Sequence, residues 1–488
     1  MDKEKYRSRY HFTPRTHWMN DPNGMVYFNG EYHLFYQYHP FGMSWGPMHW
    51  GHAVSLDMVH WQHLMIALAP DEHGQIFSGS AVVDWDDTSG FFGGKPGLVA
   101  IFTHHDEHPD TARPRERQSL AYSLDNGRTW IKYSGNPVLE DPRYPDYRDP
   151  KVFWHKASAR WIMVLATGQS LCIYTSPNLK EWTFASEFGE GHGSHDGVWE
   201  CPDLFELTVE GNPQRTKWVL LVSIGDAPHI PEGSRTQYFV GRFNGKLFVN
   251  ERDPEAVRWL DHGRDNYAGV SFSDIPALDG RRIYMGWMSN WKYARVTPTE
   301  GWRGAMTLPR ELFLRDFDGE IRLIQRPVAE LSRLAGETLH LKNLTIEGIV
   351  PFSGIKGDAL RIDAEFELGT ASSFGFRVRA AEDGSRATIV GYDTRSGELF
   401  VDRTSSGEVR FHEHFAGRHG AALAPCGERV SLQLWVDRSS VEVFSGGGEC
   451  AITDLIFPEP EDDGLEMFAY EGEVQLRSLK VYRLNSIQ

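Results

Sequence analysis

Four hundred and eighty-eight residues are more than one hydrophobic core usually organises, since domains run to about 100–200 residues, and two domains are expected. With 40% apolar and 24% charged residues the chain has enough apolar side chain to bury its cores, which excludes wholesale disorder. Fifty Lys plus Arg against 67 Asp plus Glu leave a net charge of −17, a field that repels nucleic acid and anionic membrane and suits a neutral ligand, and the 13% of aromatic residues supply flat rings of the kind that pack on sugar faces.

From the N-terminus, Met1 to Arg7 lacks the apolar h-region of a secretory leader, which makes a cytoplasmic protein the expectation, with secretion the alternative if a leader has been removed. The longest apolar runs, Trp161 to Ala166 and Trp218 to Val222, are far short of the roughly 20 residues that span a bilayer; no membrane partner is expected. Gly (48) and Pro (26) interrupt the first three hundred residues too often for long helices. The runs His33 to Tyr38, Trp161 to Leu165, Trp218 to Val222 and Arg282 to Trp287 are each bounded by turn residues and read as strands. Three segments repeat among them: Ser55-Leu56-Asp57 ahead of His60-Trp61, Ser123-Leu124-Asp125 ahead of Trp130, and Ser176-Pro177-Asn178 ahead of Trp182. The repeat predicts propeller blades with unequal loops. Although its middle copy matches the Asp-box of sialidases, its chemistry is that of a turn whose side chains satisfy loop amides. Val328, Leu331 and Leu334 recur at helical spacing before Gly336, predicting a short helix within 326–340. Beyond it, strict alternation in Leu360 to Phe366 and Val430 to Val436 predicts a two-sheet sandwich. The expected layout is an all-β chain with a propeller domain over 1–325, a helical linker over 326–340 and a sandwich over 341–488.

Three acidic motifs carry chemistry: Asn20-Asp21-Pro22-Asn23-Gly24, Arg148-Asp149-Pro150 and Glu200-Cys201-Pro202. Each alone is a Pro-fixed turn; together, in a Trp-rich β chain, they supply what glycoside hydrolysis needs, a nucleophilic or basic carboxylate and a carboxylic acid. His49-Trp50-Gly51-His52 and His192-Gly193-Ser194-His195 lack the helix that would present both rings to a metal, and Cys172, Cys201, Cys426 and Cys450 have no metal spacing. No metal and no organic cofactor is expected.

Trp18-Met19-Asn20-Asp21-Pro22-Asn23-Gly24, Phe77-Ser78-Gly79-Ser80, Arg148-Asp149-Pro150 and Glu200-Cys201-Pro202, with the strand-turn-strand Val436 to Phe444, resemble the β-fructofuranosidases of glycoside hydrolase family 32, a family of invertases, sucrose-6-phosphate hydrolases, inulinases and levanases. The resemblance implies a five-bladed β-propeller followed by a C-terminal β-sandwich. It implies Asp21 as nucleophile, Glu200 as acid and base, and Asp149 as a transition-state stabiliser with Arg148 as its charge partner. By the same resemblance Asn20, Gln37 and Ser78 bind fructose hydroxyls, Trp45, Trp50, Phe77 and Trp291 wall the pocket, and Asp265 and Tyr267 reach it. A retaining mechanism would set the two catalytic carboxyl groups about 5–5.5 Å apart.

Gly191 to Glu200, Gly286 to Ala294 and Glu300 to Met306 are most similar to the levanase and exo-inulinase branch. The implied partner is a fructose-containing oligo- or polysaccharide, or sucrose, with a homodimer left open. A sucrose-6-phosphate hydrolase would need a cation at the pocket, for which Lys292, Arg295 and Arg303 are the candidates; taken as ordinary loop charges they imply a preference for unphosphorylated fructosides. A fructan-binding propeller without catalysis is the alternative from another class, opposed by the presence of all three carboxylates. A sialidase is opposed by the anionic balance.

Overall fold

Short runs between Gly and Pro leave room only for strands, and the computed structural model, which describes residues 4–487, is built almost wholly of them. Residues Met1 to Lys3 of the N-terminal stretch lie outside the described residues. The first sheet comprises β1 (His17–Phe28), β2 (Glu31–His39), β3 (His49–Ser55) and β4 (Trp61–His63). The second comprises β5 (Gln75–Asp84), β6 (Gly97–Glu107), β7 (Pro114–Ser123) and β8 (Ile131–Lys132), and the third β9 (Arg148–His155), β10 (Arg160–Ala166), β11 (Leu171–Ser176) and β12 (Thr183–Phe188). The fourth comprises β13 (Trp199–Val209), β14 (Asn212–Ile224), β15 (Arg235–Phe243) and β16 (Phe248–Asn250). The last comprises β17 (Tyr267–Ser271), β18 (Arg282–Trp287), β20 (Arg310–Phe317) and β21 (Glu320–Pro327); the intervening β19 (Trp302–Arg303) pairs in parallel with β1 instead, through His17 and Trp18.

Each sheet is an antiparallel meander, and a single parallel bridge from Val209 to Leu314 joins the fourth to the fifth. The first strands pack in a ring, β1 on β5, β5 on β9, β9 on β13, β13 on β17 and β17 back on β1. That closed ring makes the N-terminal domain a five-bladed propeller, and β19 laid beside β1 latches the last blade to the first. The repeated segments lie where the notion of a self-satisfied turn requires, at the β3–β4, β7–β8 and β11–β12 connections. Asp57 Oδ1 accepts the amides of Val59 and His60 at 3.0 and 2.8 Å, Asp125 Oδ1 that of Thr129 at 2.8 Å, and Asn178 Oδ1 those of Lys180 and Glu181 at 3.1 and 3.0 Å. The Trp of each copy donates its indole N–H back to a carbonyl of the same turn, that of Met58, Gly127 or Leu179. Asn244 does the same at the β15–β16 connection, accepting from Lys246 and Leu247 without the flanking Ser and Trp, so that copy left no repeat in the sequence.

The expected helix is a 3-10 turn, Ala329–Leu334, and the first sandwich strand begins directly after it at Ala335, inside the stretch read as linker. A spacing of three and three through Val328, Leu331 and Leu334 is the 3-10 period, which aligns side chains on one face at every third residue; all three are buried. In the sandwich the alternation of Leu360–Glu367 becomes alternate burial. Two long strands, Ala335–Pro351 and Gly464–Leu484, pair along their length and pass through both layers. The first part of Gly464–Leu484 pairs with Ser373–Ala380 and the second with Leu360–Glu367, the break falling at Glu471, whose φ is 56°. Trp435, Phe444 and Ala451 turn away from the sandwich core to join Tyr10, Phe12, Phe272 and Met285 of the propeller. Buried charges fasten the same seam: Arg310 to Asp261 and Glu442, His11 to Asp437 and Glu442, and Arg403 to Asp265.

Candidate active site

Each of the five ring strands carries a β-bulge at its entrance, two of its residues facing one on the neighbouring strand. Asn20 and Asp21 face Gln37, Phe77 and Ser78 face Thr103, Asp149 and Pro150 face Leu165, Cys201 and Pro202 face Val222, and Ala268 and Gly269 face Gly286. A bulge re-aims side chains out of the pleat, and here it turns them towards the ring axis. Pro150 and Pro202 fit because a bulged residue has no ladder bond for its missing N–H to break, and Pro22 follows directly on the bulge of β1. Asp149, Cys201 and Ala268 take positive φ, at 64°, 45° and 54°, the left-handed conformation that costs a non-glycine residue energy and is held by the surrounding fold.

The result is a cavity of about 490 Å³ into which Asn20, Asp21, Gln37, Trp45, Phe77, Ser78, Arg148, Asp149, Glu200 and Trp291 all project. Asp21 accepts hydrogen bonds from Ser78 Oγ at 2.7 Å and from the Asn20 amide at 3.0 Å. Cys201 sits between two carboxylates, its Sγ 3.5 Å from Asp21 Oδ2 and 3.6 Å from Asp149 Oδ2, and its backbone N–H donates to Asp149 at 3.0 Å. Arg148 donates to Glu200 Oε1 at 3.0 Å and to Glu116 at 3.3 Å, and the Tyr267 hydroxyl donates to the other Glu200 oxygen. Burial raises the Asp21 carboxyl, the Ser78 hydrogen bond opposes this, and the charge of Glu200 adds to it. For Asp149 burial again leads; Arg148 pulls the value down and Glu200 and Asp21 push it up, to about 8. Tyr267 is held far above the ordinary phenol value by burial and by Glu200, so it stays a donor.

Four sequence readings need correction. Arg148 makes its direct pairs with Glu200, Glu116 and Asp146, and it reaches Asp149 only through the field. Trp50 is wholly buried behind the wall, its indole N–H donating to the Phe77 carbonyl at 3.0 Å, because Phe35 and Phe102 pack around it. Asp265 never reaches the pocket: it is fully buried at the seam between domains, bonded to Arg403 and Tyr293. Tyr267 is likewise buried and meets the pocket through Glu200. Trp45, 37% exposed on a rim loop, meets Phe77 edge-on, and Trp291 stacks on Trp18 with centroids 5.8 Å apart. The lining residues that carried no motif include His105, stacked on Phe77 at 4.1 Å, Glu116 from the same hairpin, and Asp146 beside Arg148. Only the antiparallel register of β6 with β7, which sets His105 opposite Glu116, brings the first two together. Of the candidate cations, Lys292 is taken by Asp226 and the Ala227 carbonyl, both at 2.9 Å, and Arg303 by the carbonyls of Met43 and Thr297, both at 2.8 Å. Arg295 lines the pocket, its guanidinium 5.7 Å over the Trp291 ring.

Comparison with known proteins agrees with this geometry over nearly the whole chain. Residues 11–327 match the glycosyl hydrolases family 32 N-terminal domain, and residues 330–483 match the family 32 C-terminal domain. A levanase of Bacillus subtilis (strain 168) is 54% identical over 490 residues, covering 99% of this chain and 71% of that protein. An extracellular exo-inulinase of Aspergillus niger is 38% identical over 516 residues, covering 99% and 95%. The crystal structure of exo-inulinase from Aspergillus awamori superposes with a TM-score of 0.91 at 37% identity, covering 100% of this chain and 99% of that one.

Proposed function

The chain belongs to glycosyl hydrolase family 32, and on that premise we infer that it is a retaining, exo-acting β-fructofuranosidase that releases terminal β-D-fructofuranosyl units from fructans, fructo-oligosaccharides and sucrose. Asp21 is the proposed nucleophile, attacking the anomeric carbon of the terminal fructose to form a covalent fructosyl-enzyme as the glycosidic bond breaks. Glu200 gives its proton to the departing oxygen and then takes one from the water that releases fructose. Asp149 binds fructose hydroxyls more strongly as the ring flattens towards the oxocarbenium ion.

The observation that carries this reading is the convergence of three carboxylates on one cavity, Asp21 and Asp149 within the bulges of β1 and β9 and Glu200 just before that of β13, with different surroundings for each. Asp21 has two short-range donors and a free approach to the cavity, as a nucleophile needs. Glu200 is gripped at both oxygens, by Arg148 and by Tyr267, which fixes its direction for proton transfer in both half-reactions. Asp149 is pushed up to about 8, chiefly by burial, whereas the rise that burial causes at Asp21 is opposed by the hydrogen bonds it accepts from Ser78 and Asn20. The 490 Å³ cavity, walled by Phe77 and Trp291 and rimmed by Trp45, has the size and the flat apolar faces to take a terminal sugar ring.

The test is to trap the intermediate. Glu200→Ala should react with a fructoside whose leaving group needs no protonation, then stall, and peptide mass analysis should find the fructosyl group on Asp21. An adduct on Asp149, or none while fructose is still released, overturns the assignment.

A further inference from the structure

We infer that Arg403, on the C-terminal sandwich, is a positioning residue for the propeller's active site, acting through Asp265 and Tyr293 on the Trp291 wall and on Tyr267. Its guanidinium is fully buried and donates to Asp265 Oδ2 at 2.6 Å, to the Tyr293 hydroxyl at 2.9 Å, and to the carbonyls of Phe415 and Leu455 at 2.7 and 3.0 Å. The Tyr293 hydroxyl in turn donates to Asp265 Oδ1 at 2.7 Å, which closes a three-membered ring of side chains. Asp265 also accepts the Leu455 amide at 2.8 Å. Neither its carboxylate nor the Arg403 guanidinium faces the cavity, so neither can touch substrate.

What the ring holds is close to the chemistry. Asp265 lies two residues before Tyr267, whose hydroxyl grips Glu200. Tyr293 lies two residues after Trp291 and two before Arg295, both of which line the pocket. The two segments are tied again at Asn290, whose side-chain amide donates to the Arg264 carbonyl at 2.8 Å while its own carbonyl accepts the Tyr293 amide at 3.1 Å. A displacement of Tyr293 is therefore passed across one tight turn to Trp291, and the sandwich edge supplies the fixed point. Buried, fully bonded side chains of this sort have one low-energy arrangement, which is what a pocket wall needs to keep its position to a fraction of an ångström. The sandwich thus takes part in substrate binding at a distance, without contributing a group to the pocket.

The inference rests on the reading of the pocket as the hydrolytic site, and two experiments separate them. Tyr293→Phe removes one hydroxyl and keeps the ring; it should lower kcat/KM for sucrose and 1-kestose several-fold, mainly by raising KM. In a Trp291→Phe background the same change should cost almost nothing further, because its effect runs through that wall; a double-mutant cycle reads this coupling directly. Arg403→Lys is compared with Arg379→Lys, a buried arginine that donates, among the described residues, to the sandwich carbonyls of Asp462, Arg438 and Glu459. At equal loss of melting temperature, the first should raise KM and the second leave it unchanged. Multiplicative effects of Tyr293→Phe and Trp291→Phe, or an unchanged KM in Tyr293→Phe, overturn the inference; so does equal KM in the two arginine variants. If Arg403→Lys does not fold, the double-mutant cycle alone decides. Failure of the trapping experiment on Asp21 would instead overturn the reading of the site, whatever the cycle gives.

Discussion

His11 gives the sharpest test of how the two domains are joined. Its ring is fully buried, with Nδ1 2.7 Å from Asp437 and Nε2 2.8 Å from Glu442. Burial pulls its pKa down, but the hydrogen bonds and charges of the two carboxylates win and raise it from 6.5 to about 9. At about 1.4 kcal/mol per unit, that rise corresponds to roughly 3 kcal/mol of folding free energy. Because the folded value lies above the unfolded one, the contribution is complete below pH 6.5 and is lost as pH climbs to about 9. Urea unfolding followed by tryptophan fluorescence, at fixed salt and half-unit steps from pH 6 to 9.5, should show His11→Gln less stable than wild type at pH 6, the gap narrowing by roughly 3 kcal/mol at pH 9.5. Taking the difference between the two curves removes other groups that titrate in that window, Asp149 among them. Parallel curves would refute the argument, since they would mean that the imidazole is neutral, or equally charged, in both states.

Asp21→Ala and Glu200→Ala should each fold normally and lose most of kcat; with a fructoside whose leaving group needs no protonation, azide should restore turnover in Glu200→Ala by attacking the anomeric carbon as its bond to Asp21 breaks, giving fructosyl azide, and full activity of either variant on sucrose, read by fructose release, would overturn the roles. Carbon NMR of the first-formed fructose should show the β anomer, as two inversions require. Arg295 is the pocket cation to watch: wild type should prefer sucrose or 1-kestose to sucrose-6-phosphate by kcat/KM, and Arg295→Ala should widen that ratio while leaving kcat on sucrose within about twofold, the change of a screened, solvent-facing charge; a preference for the phosphorylated sugar places the chain in the phosphosugar branch. Truncation near residue 335 should give an aggregating chain, because Tyr10, Phe12, Phe272 and Met285 would lose the cover of Trp435 and Phe444. A soluble, equally heat-stable and fully active fragment would show that the sandwich is dispensable.

The sequence by itself determined what local chemistry dictates. Gly and Pro density excluded long helices, alternation marked the sandwich strands, and the Ser, Asp or Asn, and Trp of the repeated turns carry their own hydrogen bonds within a few residues. The three carboxylates were legible because each lies within two residues of a Pro, a residue that a bulge tolerates. Tertiary structure alone decided what depends on distant partners. No local signal counts blades, because closure is made by β1 meeting β17 and β19 across more than two hundred residues. The five bulges appear only when each strand is set against its neighbour. Trp50 and Trp45 have similar Gly-flanked surroundings in the chain, yet one is sealed between Phe35 and Phe102 and the other stands on the rim. Asp265 reads as a pocket residue until Arg403, 138 positions away, draws its carboxylate into the seam. Burial and ion pairing are decided by whichever groups the fold delivers to a point, and those groups come from anywhere in the chain.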